Sequence, residues 1–122
     1  MTLYKFLLLF AGGGLGSLTR YWMSGLPCFS HHRFPLATLA VNLIASLILG
    51  MAFSAYQRFP GHHWIYFFLI SGFCGALSTF STFSGENAAL LRHGDYALFI
   101  LYALGSVAGC LLAFFAGHLV MR

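Results

Sequence analysis

The sequence predicts an all-α membrane protein with four transmembrane helices in one domain spanning residues 1–122. Three observations carry that prediction. Of the 122 residues, 60% are hydrophobic and 7% charged, with a mean hydropathy of +0.85, against roughly 45–50% and about 25% in ordinary globular chains. The charges divide the chain into four apolar stretches, each long enough for the roughly 20 residues that cross a hydrocarbon core. No run alternates with period two, and four strands alone could not close a barrel. The composition excludes a small water-soluble domain and a disordered chain. It leaves no room for a tethered enzyme or a receptor ectodomain.

The first stretch runs from about 3 to 26, with Lys5 and Arg20 near its ends. It is too long for a signal-peptide core and lacks a small-residue cleavage site, so it is expected as the first helix. Its run Gly12-Gly13-Gly14-Leu15-Gly16-Ser17 has no βαβ context for dinucleotide binding, and close helix packing explains it. Arg20 either snorkels to the interface or draws anions into a vestibule.

The second stretch, about 36–56, carries Thr38, Asn42, Ser46, Gly50 and Ser54 at steps of four. Such a stripe winds slowly round a helix, about 40° per step. A primary amide near mid-span is expensive and needs a partner. Asn42 therefore either bonds a neighbouring helix or offers an N–H to an anion.

The third stretch, about 64–91, is longer than a straight span requires. It holds five hydroxyls within seven residues (Ser78, Thr79, Ser81, Thr82, Ser84), followed by Glu86. Length and glycines point to a helix broken near mid-membrane, whose freed carbonyls can hold a cation. The alternative is a continuous helix with hydroxyls bonded back one turn. If helical geometry resumes after the break, Thr79, Thr82 and Glu86 share a face, beside the pair Phe80 and Phe83. Phenyl rings carry a positive edge that attracts a small anion without formal charge.

The fourth stretch, about 96–120, repeats the pattern with Tyr102, Ser106 and Cys110, flanked by Gly105 and Gly109. The three cysteines are odd in number and lack CxxC spacing, indicating neither a disulfide framework nor zinc. The loop pairs His31-His32 and His62-His63 could form a four-histidine cluster between antiparallel copies, although solvated loop histidines account for them more simply.

Six basic residues face two acids. They are scattered singly, so no stripe tracks nucleic acid. With four spans, Lys5, Arg58 and Arg122 share one side, against Arg20, Arg33 and Arg92 on the other. The usual basic-residue bias that sets orientation is absent. Either one residue or the lipid decides, or the chain inserts both ways round and pairs antiparallel.

Gly72-Phe73-Cys74-Gly75, then Thr79-Phe80-Ser81-Thr82-Phe83-Ser84 and Glu86, closely resemble the signature of the small bacterial fluoride channels, the Fluc or CrcB family. Thr38-Leu39-Ala40-Val41-Asn42 and the glycine run with Arg20-Tyr21 are similar to its other motifs. The resemblance implies a dual-topology antiparallel homodimer in the bacterial inner membrane, passively exporting fluoride through two pathways. It implies Asn42, Phe80 and Phe83 as pathway walls, with Thr82, Ser84, Glu86, Tyr102 and Ser106 as further contributors. It also implies a structural sodium ion at the dimer centre, held by the backbone carbonyls of Gly75 and Ser78 from both subunits. Departures from the family pattern are Ala37, Ala45, Ala76-Leu77 and Ser78, and Cys110 where a hydroxyl is expected.

Two other functions are weighed. A small multidrug transporter depends on a membrane-embedded carboxylate in its first helix, and the first stretch has none. A non-transporting assembly subunit would explain glycines and balanced charge, but not five hydroxyls with Asn42. An enzyme is not expected, since the chain offers no nucleophile–base pair or ligand set.

Overall fold

Leu3–Ser24 forms α1 in the computed structural model, which describes residues 2–30 and 32–122. Its amide ladder starts on the Thr2 carbonyl, which accepts from Lys5 and Phe6, and it stops where Gly25 and Pro27 follow. A single 3-10 turn, Pro27–Phe29, leads into α2 at Leu36–Arg58. The third stretch begins as a π-wound segment, Ile65–Cys74, in which the Gly75 N–H reaches back to the Ile70 carbonyl. One further turn, α3 (Gly75–Leu77), ends at an extended pair, Ser78 (φ −70°, ψ 153°) and Thr79 (φ −145°, ψ 117°). Helix resumes as α4, Phe80–Arg92, and α5 follows over Tyr96–Val120. No strand occurs among the described residues.

The turn between α4 and α5 is short because Gly94 adopts φ +75°, a left-handed conformation that costs glycine little. Asp95 N–H then donates to the Leu90 carbonyl and Gly94 N–H to that of Leu91, the paired bonds of a Schellman motif. Across that turn an exposed ion pair, Arg33 Nη2 to Asp95 Oδ2 at 3.9 Å, adds little stability.

Among the described residues, three helical stretches are long and apolar enough to cross a membrane: Leu36–Arg58, Ile65–Arg92 and Tyr96–Val120. The fourth expected span, α1, is helical but falls below these three in apolarity. Its 22 residues supply the length, but Lys5, Arg20, Ser17, Thr19 and glycines 12, 13, 14 and 16 dilute its hydropathy. Instead α1 has a face cut for a neighbour. A Cβ on Gly12 would strike the Phe68 carbonyl oxygen, and one on Gly16 that of Phe73, so α1 lies backbone to backbone on the π-wound segment. Gly13 and Gly14 meet nothing, so packing accounts for only half of that glycine run.

The helices α2 and α5 run parallel and in register at an offset of 64 residues. Ser54 Oγ donates to the His118 carbonyl, 64 positions on, at 3.1 Å. A Cβ on Gly50 would strike the Phe114 carbonyl oxygen, and one on Gly117 that of Leu47. At the other end Thr38 and Tyr102 converge on Glu86. The offset therefore sets Thr38 beside Tyr102, Asn42 beside Ser106, and Ser46 beside Cys110. The two glycines clamp the helices shut beyond the last of these pairs. Gly109 also packs, against Leu43, whereas Gly105 faces open space. Between α2 and the third stretch, Val41, Ala45 and Leu77 form the dry core, with Met23, Ile48 and Phe73 against it.

Candidate functional site

At the extended pair the backbone loses its helical partners, and Asn42 replaces them. Thr79 N–H donates to Asn42 Oδ1 at 2.8 Å, and Asn42 Nδ2 donates to the Thr79 carbonyl at 3.2 Å. In a continued helix that N–H would go to the Gly75 carbonyl, four residues back. The amide side chain thus copies a peptide group and holds the chain out of the helix. An Asn amide carries two N–H donors, so one remains. Of the two roles open to Asn42 from sequence, bonding between helices is met by these contacts, and the spare N–H keeps the second available.

Thr79 also starts α4. Its Oγ1 accepts from Thr82 N–H at 3.3 Å and donates to Thr82 Oγ1 at 3.1 Å. The expectation that Thr79, Thr82 and Glu86 share one helical face is corrected here. Thr79 is extended and caps α4 rather than belonging to it, Thr82 turns back towards that cap, and Glu86 faces α2 and α5.

Glu86 is held from both sides. Thr38 Oγ1 donates to Oε1 at 2.8 Å and Tyr102 OH to Oε2 at 2.7 Å. Tyr102 is fully buried, packed against Phe83 (ring centroids 5.1 Å apart) and edge-on to Phe34 (5.4 Å). A carboxylate inside an apolar bundle needs such donors. Because each hydroxyl has one O–H, neither Thr38 nor Tyr102 has a donor left while Glu86 takes it.

Next to this cage lies a cavity of about 260 Å³ walled by Asn42, Ser46, Phe80, Phe83, Ser106 and Cys110, with Ser78 and Thr79 at its edge. Phe80 and Phe83 stand 5.5 Å apart, tilted by 38°. Phe80 is 77% exposed, so the cavity opens past its ring. Ser106 Oγ is buried and has no partner. No charged side chain is among the walls, which consist of neutral polar residues, two phenyl rings, Val107 and one thiol.

The other expected residues are distributed around it. Arg20 is half-buried and turns inward, its Nη1 at 3.5 Å from the Ser78 carbonyl, the long limit for a hydrogen bond. With Ser17, Tyr21, Thr38, Thr79 and Thr82 it lines a separate cavity of about 200 Å³. Ser84 is exposed on α4 and is not a wall of the main cavity. Gly75 is exposed, and a continued helix's donor to its carbonyl has gone to Asn42. No cluster of three or more histidine, cysteine or acidic side chains could hold a metal among the described residues. His31 of the first loop pair lies outside those residues.

Four participants were not singled out as site residues from sequence: Thr38, Ser46, Thr79 and Cys110. The step-of-four stripes in the second and fourth stretches contained three of them. Pairing the two stripes at a common offset was the signal that would have found them. Asn87, buried with Oδ1 unpartnered and Nδ2 donating to the Phe83 carbonyl at 2.8 Å, gave no such signal.

Residues 7–118 match the family described as CrcB-like protein, Camphor Resistance (CrcB). Similar proteins bear the name fluoride-specific ion channel FluC. One from Pyrococcus abyssi is 45% identical, the match covering 100% of this chain and 99% of the relative. One from Gloeothece citriformis is 41% identical over 97% and 98%, and one from Leptospira interrogans 41% identical over 96% and 94%.

Proposed function

We infer that this chain, which belongs to the CrcB-like family, is a fluoride channel that lets the ion leave the cytoplasm passively. It is an ion channel and not an enzyme. The observation that carries this conclusion is the in-register polar track between α2 and α5, opening into a cavity of about 260 Å³ walled by Asn42, Phe80, Phe83 and Ser106. Fluoride is small and tightly hydrated, so a pathway must replace its water with strong donors. It must also release the ion, since conduction requires binding weak enough to leave. The spare N–H of Asn42, the unpartnered O–H of Ser106 and the ring edges of Phe80 and Phe83 supply neutral, positive-ended groups. Thr82 and Ser84 offer further hydroxyls on α4. Tyr102 acts through Glu86, because its O–H is spent there. Arg20 attracts anions to the neighbouring cavity without standing in the track.

A second copy of the chain completes the pathway as an antiparallel homodimer. The main cavity is open past Phe80, and Ser71, Gly75, Ser81, Ser84 and Gly85 are exposed along the third stretch. Lipid cannot satisfy hydroxyls or unwound backbone at membrane depth, whereas an identical polar face can. The extended pair Ser78-Thr79 then lies near mid-membrane, and α1 crosses with its glycine face on the π-wound segment. Equal basic residues on both sides suit insertion in two orientations. Its proposed location is the inner, plasma membrane, which it crosses several times.

The residues fit a structural sodium ion at the dimer centre. The Gly75 carbonyl has lost its helical donor to Asn42, Gly75 is exposed, and Arg20 takes at most one of the two lone pairs on the Ser78 carbonyl. These two carbonyls and their copies in the partner would hold it, and the bound cation would tie the interrupted helices together. Liposomes reconstituted with the chain alone test the proposal: efflux of fluoride supports it, and a dimeric protein that releases no anion refutes it.

A further inference from the structure

The polar track between α2 and α5 ends at a thiol. Down the parallel pair, each rung lies four residues, or about 6 Å, below the last: Thr38 with Tyr102, Asn42 with Ser106, Ser46 with Cys110. The next rung is Gly50 with Phe114, where the glycine backbone presses on the Phe114 carbonyl, and Gly117 presses likewise on Leu47. No side chain separates the helices there, so nothing passes between them. An ion coming down the track must turn out of it at Ser46 and Cys110, towards the open side of the cavity at Phe80 and Val107. One rung above, Ser106 lines the same cavity and is 6% exposed, and its buried Oγ has no partner. A buried, unspent O–H beside a cavity is a place for a ligand or water.

We propose that Cys110 is a modification site for soft, thiophilic metal species at the exit of this track, and that metal bonded to its Sγ closes the pathway. The inference rests on the proposed channel function. It names a sensitivity of the same pathway that the neutral oxygen donors do not confer. With mercuric chloride the Sγ–H bond breaks, an Sγ–Hg bond forms, and one chloride leaves with the proton. Nothing is oxidised or reduced. The adduct places a metal and its remaining chloride in the cavity, one rung above the closed pair Gly50 and Phe114. The other two cysteines lie elsewhere: Cys74 is 2% exposed within the third stretch, and Cys28 is exposed in the first loop.

The test uses the full chain in liposomes, with fluoride efflux followed before and after mercuric chloride. Mass spectrometry of the recovered protein locates the metal. The wild type and Cys28→Ser lose most of their flux and regain it when dithiothreitol removes the metal, while Cys110→Ser keeps its own flux in the reagent. Equal block of Cys110→Ser overturns the proposal, as does a wild type whose Cys110 carries mercury and still conducts. Wild type without flux before the reagent contradicts the channel function. Mercury on Cys110 but not Cys74 would then still support the accessible thiol, and its absence from Cys110 would overturn it.

Discussion

Asn42 and Thr79 exchange two hydrogen bonds, side-chain amide to peptide group, at 2.8 and 3.2 Å. This exchange replaces the helical partners that the extended backbone gives up. It places the Phe80–Phe83 pair at the head of α4 and leaves the Gly75 carbonyl without its helical donor. Truncating Asn42 to Ala leaves both Thr79 groups unpaired, at a cost of about 1–3 kcal/mol for each buried group. Asn42→Ala is expected to unfold in detergent at a clearly lower temperature and to lose fluoride flux. Unchanged thermal stability would show that the exchange does not hold the break.

Thr38 and Tyr102 act together on Glu86. Removing either hydroxyl, as Thr38→Val or Tyr102→Phe, strips one donor from the carboxylate. In a membrane interior such hydrogen bonds are worth about 0.6–2 kcal/mol. Each substitution is expected to reduce flux, and the double substitution to cost less than the sum, because both act through one group. Strict additivity in a flux and stability cycle would mean that the two hydroxyls work separately.

Glycines that touch backbone are separable from those that do not. Gly50→Ala and Gly12→Ala would push a methyl into a carbonyl oxygen of the facing helix, whereas Gly13→Ala and Gly14→Ala meet nothing within 4 Å. Overpacking of this kind costs about 1–3 kcal/mol. The first pair is expected to lower thermal stability and the second to leave the single chain's packing unchanged. Similar losses for all four would contradict the packing described for α1 and α2.

Much of this arrangement was legible in the chain. Polar residues inside apolar runs stand out, and the steps of four at Thr38, Asn42 and Ser46 and at Tyr102, Ser106 and Cys110 placed them on helix faces. Their mutual register was not legible. The offset of 64 residues rests on contacts with a distant helix, Gly50 on the Phe114 backbone and Ser54 on the His118 carbonyl, which no local pattern encodes. The partner of Asn42 was hidden for a similar reason, since a peptide group has no sequence signature. Thr79 was placed on a helical face because spacing alone does not distinguish a cap from the first turn. Arg20 was open between snorkelling outward and facing a vestibule, and the Ser78 carbonyl that it approaches is again a backbone group. The neighbour of α1 was hidden as well, since Gly12 and Gly16 meet the backbone of the π-wound segment whereas Gly13 and Gly14 meet nothing.

In the proposed pathway the phenyl rings act through their edges rather than their bulk. Phe80→Ile and Phe83→Ile keep apolar volume but remove the ring quadrupole. Each is expected to abolish fluoride flux while the protein elutes as the same oligomer. Retained flux would remove the ring edge from the mechanism.

The central claim is that this chain by itself, through neutral donors, conducts fluoride. Purified protein reconstituted into liposomes loaded with fluoride, with external fluoride followed by an ion-selective electrode, tests it most directly. The account predicts rapid fluoride release from vesicles holding this chain and none from empty ones. Vesicles containing intact dimeric protein that retain their fluoride would contradict it.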